Sequence, residues 1–305
     1  MHRRCNVLPL APLGGEESAA DKVTLDQVYV ELDTQSRVKL TAEEKAEAKK
    51  RRGRVIDDAD RVLSVLEATG RSRRQVLLGD PGSGKSTFVR QLCAWQSLAL
   101  LGQPLPVTLP DNWPVHLLPL FTIIREVAGE LASLPLAGLA VEEQDRQTVR
   151  ILWAHWQQGL ENDRAADFAN ELADRLDAGD ALVVLDGLDE APVEQRPAVV
   201  RAIAALQRRY PQLARLIVTC RVRSYTDAVR LAPFFRAKIQ RFAAAWYGAQ
   251  ACQGRFDRAT AKTRSDDLAQ AALSDNLEEL SPNPTLLTTM AIVHQKETKL
   301  PRERG

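Results

Sequence analysis

The sequence predicts an α/β fold: three layers built on a doubly wound, mostly parallel sheet, followed by a small helical lid. Three observations carry this. Between residues 71 and 235, apolar runs of strand length alternate with stretches of helical period, the pattern of a parallel sheet covered by helices. One run, Ala181-Leu182-Val183-Val184-Leu185, is apolar throughout, as a strand buried on both faces must be. Beyond Pro233 the apolar spacing is helical only, which sets residues 236–305 apart as the lid, while residues 1–70 read as a linker and helical leader.

Residues 1–20 hold Pro9, Pro12, Gly14 and Gly15, the composition of a linker rather than a folded start. Residues 23–32 have a strand-like centre, Val28-Tyr29-Val30. From Thr41 the composition turns to Ala, Glu, Lys and Arg, and Thr41 with Glu44 forms a capping box for a solvated helix to about residue 52. A second helix is expected over 57–68, with Val62, Leu63, Val65 and Leu66 inward and Gly70 after it. The run 75–78 is a strand. Phe88, Val89, Leu92, Trp95 and Ala99 then recur at helical spacing, giving one buried face, and Gly102 and Pro104 end that helix. A polar connection leads to a strand over 116–124 that delivers Arg125-Glu126 at its end. Residues 142–178 are helical with breaks near Gly159 and Asn162; a helix over 197–209 and a strand over 213–220 follow. In the lid, Phe242, Trp246 and Ala249 share a face, and Leu268, Ala272 and Leu277 continue the helical pattern. Ser281-Pro282-Asn283-Pro284 interrupts it before a helix over 285–295. Pro284 suits the first turn, where no donor is lost.

With 305 residues, the chain has enough core for one large domain or two ordinary ones. Lys plus Arg is 41 against 40 for Asp plus Glu, so no bulk field favours nucleic acid or an acidic membrane. Cys5, Cys93, Cys220 and Cys252 are far apart, with no C-x-x-C pair and no histidine cluster; they read as reduced thiols of a cytoplasmic protein rather than a zinc site or disulfide framework. The longest apolar stretch, 115–124, is about half a membrane span and contains a proline. The first residues lead into prolines and glycines rather than a signal-peptide core. The basic run Lys49-Lys50-Arg51-Arg52-Gly53-Arg54, with Arg71, Arg73 and Arg74, fits either a nucleic-acid contact or a solvated helix face. Without interleaved aromatics, the solvated face is the better reading.

The chemistry-bearing stretch is Gly79-Asp80-Pro81-Gly82-Ser83-Gly84-Lys85-Ser86-Thr87, a full match to the phosphate-loop pattern G-x-x-x-x-G-K-[ST] set between a strand and a helix. Its glycines let successive N–H groups turn inward around phosphate oxygens. Lys85 would reach the β- and γ-phosphates of a nucleoside triphosphate, and the Ser86 hydroxyl would ligate Mg²⁺. Asp186-Gly187-Leu188-Asp189-Glu190 closes the fully apolar strand. Alone it could be a surface turn; a hundred residues after a phosphate loop it reads as the second half of the site. Asp186 would hold Mg²⁺, and Asp189 with Glu190 would polarise an attacking water. Arg221, after the next strand, is either a cation near the γ-phosphate or an exposed loop arginine beside Arg223. His155, between Trp153 and Trp156, reads as packing or surface rather than catalysis.

These motifs together resemble the NACHT branch of the STAND signal-transduction ATPases, of the bacterial type and related to AAA+ folds. The resemblance spans about residues 23–304 and adds Leu118-Pro119-Leu120-Phe121 with Arg125-Glu126, Thr219-Cys220-Arg221, Leu231-Ala232-Pro233-Phe234 and Asn283-Pro284-Thr285-Leu286-Leu287-Thr288 to the two acidic and phosphate-loop stretches. It implies Lys85 and Ser86, aided by Thr87, on phosphate and Mg²⁺; Asp186 as the metal carboxylate; Asp189 and Glu190 as organisers of the hydrolytic water; Arg221 as γ-phosphate sensor; and Pro284 beside the adenine. No Asn-Lys-x-Asp guanine element occurs, so ATP and ADP are the expected nucleotides. Members of the family are ADP-held switches that exchange for ATP, form homo-oligomers and activate an attached effector, in bacteria for antiphage defence.

Two features depart from the family pattern. Only eleven residues lie between Arg221 and Pro233, so Val229-Arg230-Leu231 is all that remains for a fifth strand. The chain also ends just after the asparagine–proline helix, where a winged-helix segment and a sensor would follow, and no upstream effector is readable; the resemblance implies a switch core cut from a larger protein. Two other classes stay open: an AAA+ motor acting on nucleic acid or protein, and a non-enzymatic scaffold stabilised by nucleotide. A transporter ATPase is disfavoured, because no Leu-Ser-Gly-Gly-Gln segment occurs.

Overall fold

The computed structural model describes residues 5–6, 24–39, 60–221, 229–274 and 277–297. The first part departs from expectation. Val28-Tyr29-Val30 is not a strand centre: a one-turn helix, α1 (Leu25–Val28), precedes it, and the strand β1 (Asp33–Lys39) comes later. Local capping explains the helix. Gln27 Oε1 accepts from the Thr24 N–H, and Asn6 accepts the Leu25 and Asp26 N–H groups with its carbonyl and side chain. Nor is 57–68 a helix, since β2 (Asp60–Ser64) pairs antiparallel with β1 and the helix α2 (Val65–Gly70) starts only after it. Ser64 and Glu67 fix that start by exchanging side-chain and backbone bonds at 3.1 and 3.2 Å. Strand alternation leaves Val62 exposed while Leu63 is buried. The expected helix over 41–52 and the basic run 49–54 lie outside the described residues; Arg71, Arg73 and Arg74 are exposed.

The central sheet holds β3 (Arg74–Leu78), β4 (Leu118–Ile123), β5 (Ala181–Asp186), β6 (Arg215–Cys220) and β7 (Val229–Arg230). Their spatial order is β4-β5-β6-β3-β7, and each neighbouring pair is parallel. The short β7, aligned with Leu77 and Leu78, is the abbreviated fifth strand expected between Arg221 and Pro233. Successive β5 side chains point to opposite faces, and each face has its own core. Leu182 and Val184 join one cluster, while Ala181, Val183 and Leu185 join another. Each fully buried valine or leucine there contributes about 1.5–3 kcal/mol relative to exposure, which is why this run tolerates no polar residue.

The helices between strands are α3 (Lys85–Leu100), α4 (Ile124–Ser133), α5 (Val141–Asn162), α6 (Ala169–Ala178) and α7 (Arg196–Arg209). Phe88, Val89 and Leu92 of α3 belong to the first cluster; Leu131, Leu152, Leu172 and Leu206, from α4 to α7, belong to the second. The sheet is thus flanked by helices on both faces. Ile124 opens α4 instead of ending β4, so Arg125 stands in a helical first turn. Helix α5 runs unbroken through Gly159, and the break expected there falls only after Asn162. The last unit is α8 (Arg236–Cys252), α9 (Arg258–Ala272) and α10 (Pro284–Glu297). Trp246, Leu268 and Leu287 share the first cluster with Leu77 and Phe88, so this unit packs on the α3 side of the sheet. No helix among the described residues is long and apolar enough to cross a membrane.

Candidate functional site

The phosphate-loop sequence lies where β3 ends and α3 begins. Two of its glycines take left-handed backbone, Gly82 at φ 74° and Gly84 at φ 92°. A Cβ on Gly84 would stand 3.0 Å from Leu32, and one on Gly82 would stand 2.5 Å from the Asn283 side chain. These positions therefore demand glycine on two counts, backbone angle and crowding. The turn points Lys85 back over the loop: its Nζ donates to the Gly79 carbonyl at 2.7 Å and the Asp80 carbonyl at 3.0 Å, with Ser83 Oγ at 3.5 Å. Lys85 is only 8% exposed. Burial holds its ammonium below the usual range; Asp189 opposes that fall, Arg221 adds to it, and Asp186 and Asp80 oppose it further. Asp80 and Pro81 are exposed at the loop tip, and Thr87 is half-buried in the first turn of α3.

Asp186, the last residue of β5, meets the loop across a hundred residues of chain. Its Oδ1 accepts from Ser86 Oγ at 3.1 Å and from Thr219 Oγ1 at 2.5 Å. Thr219 in turn accepts the Gly187 N–H at 2.8 Å. Asp186 is 7% exposed, and this neighbour on β6 fixes its orientation. In sequence Thr219 is only a flank of Arg221; its role depends on β6 lying beside β5, which sequence spacing does not reveal. Asp189 is engaged by Arg221, whose backbone N–H and Nε reach it at 2.9 and 2.8 Å. Arg196 also donates to the Asp189 and Ala191 carbonyls and holds the turn. Glu190 is exposed and ion-paired with Arg125 at 3.1 Å. The acidic turn and Arg221 are thus brought together, with Asp189 facing the cation and Glu190 directed outward to Arg125. His155 stands apart, 3.9 Å from Glu126.

The start of α10 closes the other side. Asn283 Nδ2 donates to the Pro81 carbonyl at 2.8 Å, and the Thr285 N–H and hydroxyl both approach the Gly82 carbonyl at 3.3 Å. Asn283 Oδ1 also accepts the Thr285 and Leu286 N–H groups, capping α10. Pro284 only opens the helix; its neighbours make the contact to the loop. That an asparagine would both cap the helix and grip the loop was not legible from the Asn-Pro dipeptide.

The residues present fit a phosphate anion with a hard divalent cation. Tight, Cβ-intolerant backbone and a buried ammonium suit phosphate. The Ser86 hydroxyl and Asp186 carboxylate offer oxygen ligands side by side, as Mg²⁺ prefers. Among the described residues, no group of three or more His, Cys, Asp or Glu converges on a metal position, so phosphate and water would supply the remaining oxygens. No protein-family model matches the chain, and no curated protein matches it in sequence.

Proposed function

We propose that the chain binds ATP and ADP with Mg²⁺ and works as a slowly hydrolysing switch of the NACHT/STAND kind, built on the P-loop form of the α/β fold. The observation that carries this reading is the two-sided loop. One side is Lys85, Ser86 and Asp186 on the sheet; the other is Asn283 and Thr285 from α10. The parallel pairing of β3, β6 and β5 also suits it, because loop and acidic turn then both leave the carboxyl ends of their strands, where ligands of α/β folds bind.

In this reading Lys85 exchanges the Gly79 and Asp80 carbonyls for phosphate oxygens, and Ser86 and Asp186 hold the cation. Bound Mg²⁺ would neutralise charge on the phosphates. Asp189 positions Arg221 towards the γ-phosphate. Glu190 orients a water once it leaves Arg125. Asn283 registers how the loop is occupied, which links nucleotide identity to the position of α10 and to assembly with further copies.

Calorimetric titration tests this. ATP and ADP should bind in the presence of Mg²⁺, and Lys85→Ala should weaken both by roughly 10- to 100-fold, the equivalent of about 1.5–3 kcal/mol for bonds to a charged group. Equal affinity in the variant would refute the reading.

A further inference from the structure

At the sheet edge away from β7, the strand β4 pairs only with β5 among the described residues. The Leu118 N–H donates to the Asp180 carbonyl, so Leu118, Leu120 and Thr122 turn their backbone groups to β5. By the alternation of a parallel ladder, Pro119, Phe121 and Ile123 turn theirs the other way. Pro119 has no N–H, which leaves its carbonyl, both Phe121 groups and the Ile123 N–H along this edge. They do not face open solvent: a cleft of ≈ 550 Å³ runs along β4, bounded by Leu120, Phe121, Trp156, Leu160, Leu172 and Arg90. Trp156 is fixed in the wall by its bond to Thr122 at 2.9 Å.

The cleft also has a charge pattern. Arg90, on α3, lies over the Phe121 ring at 4.8 Å, and no ion pair engages its guanidinium among the described residues. An acid lies off the strand at one end of the cleft, Glu126 in the first turn of α4, with the His155 ring 3.9 Å away. We infer that β4 is a docking edge for an extended peptide of another protein, with apolar side chains on one face, a carboxylate at its centre and a cation at the end that reaches Glu126. Its backbone adds a strand to β4, alternate side chains enter the apolar wall of α5 and α6, and its central acid meets Arg90. From Pro119 to Ile123 the edge spans about 13 Å, room for a short strand. The inference does not depend on the nucleotide reading.

The test uses the full chain and a fluorescein-labelled peptide, Lys-Thr-Val-Glu-Val-Thr-Lys, followed by anisotropy. Saturable binding is expected. N-methylation of the alternate amides that face β4 should abolish it, although every side chain is kept. Gly159 lies within α5 on the cleft wall with nothing within 4 Å of a Cβ built there, so the position accepts a side chain, and Gly159→Leu, which adds apolar bulk at the wall, should also abolish binding. Arg90→Glu should weaken binding by about tenfold or more, as expected for a lost charged contact, and should restore affinity for the peptide with Lys in place of Glu. No saturable binding by the wild type overturns the inference, as does binding indifferent to Gly159→Leu. Binding that survives N-methylation overturns strand addition and makes the cleft a side-chain or small-molecule pocket.

Discussion

The two walls of the candidate site are held in opposite ways. On the sheet side, Thr219 bridges Asp186 and the Gly187 N–H through bonds of 2.5 and 2.8 Å that are both buried. On the α10 side, the bonds from Asn283 to Pro81 and from Thr285 to Gly82 are open to solvent. Water can replace an exposed bond at little cost, whereas a buried group that loses its partner bears its full desolvation penalty. One wall is therefore fixed and the other detachable. Parts that move during function come from the weakly held end of a structure, and here that end is the contact of Asn283 and Thr285 with the loop, since Leu287 and Ala291 further along α10 are buried in the core.

The largest expected effect lies on the fixed wall. Thr219→Val keeps the shape but strands the Gly187 N–H and removes a donor from Asp186. Asp186 keeps the Ser86 bond; with about 1–3 kcal/mol for the stranded Gly187 N–H and about 1 kcal/mol for the bond lost from Asp186, the loss should be roughly 2–4 kcal/mol in urea unfolding. A loss near zero would mean that this bridge does not hold the wall.

The same contrast explains what could be read from sequence. The fixed wall was legible in Gly79 through Thr87 and in Asp186, because strand, loop and helix fix local geometry and because β5 announces itself by unbroken apolarity. Val229-Arg230 could be placed as a shortened strand from chain length alone. The detachable wall was only half legible: the Ser281–Pro284 break located the start of α10, but the grip of Asn283 on Pro81 joins residues 202 apart in sequence. The N-terminal departures have a different cause. Val62, Leu63, Val65 and Leu66 recur at helical spacing, and only the pairing of 60–64 with β1, a tertiary contact, overrides that local period. The Ser64-x-x-Glu67 box was the signal that would have moved the helix start to Val65.

Gly82→Ala tests whether the walls touch. Left-handed backbone costs a residue with a Cβ about 1–2 kcal/mol, and the new Cβ would stand 2.5 Å from Asn283 Oδ1. The single variant should lose about 2 kcal/mol or more. Adding Asn283→Ala removes the clash, so the double variant should be more stable than the sum of the two losses implies. Strict additivity would show that Asn283 does not press on the loop.

Asn283→Ala alone should cost about 1 kcal/mol, the usual value of a lost N-cap. Its diagnostic effect is local. Hydrogen exchange should quicken at the first amides of α10 while those of β5 stay protected; equal acceleration in both would mean that the walls open as one.

The smallest effect comes from the far end of α10, where the detachable wall is anchored. His294 is 2% exposed, its Nδ1 2.6 Å from the Tyr247 hydroxyl. Burial holds its imidazole below the ordinary 6.5; Asp267 opposes this and Arg264 adds to it, both from α9. A lowered value in the folded state means that the unfolded chain takes up the proton first. Stability is therefore whole above pH 6.5 and declines as pH falls towards the lowered value. The decline is at most about 1.4 kcal/mol per pH unit for one proton. His294→Gln keeps a partner for Tyr247 without the titration. Urea unfolding at a series of pH values should show a shallower acid slope for this variant than for the wild type. Equal slopes would place the acid sensitivity elsewhere and leave α10 without a buried anchor that responds to protons.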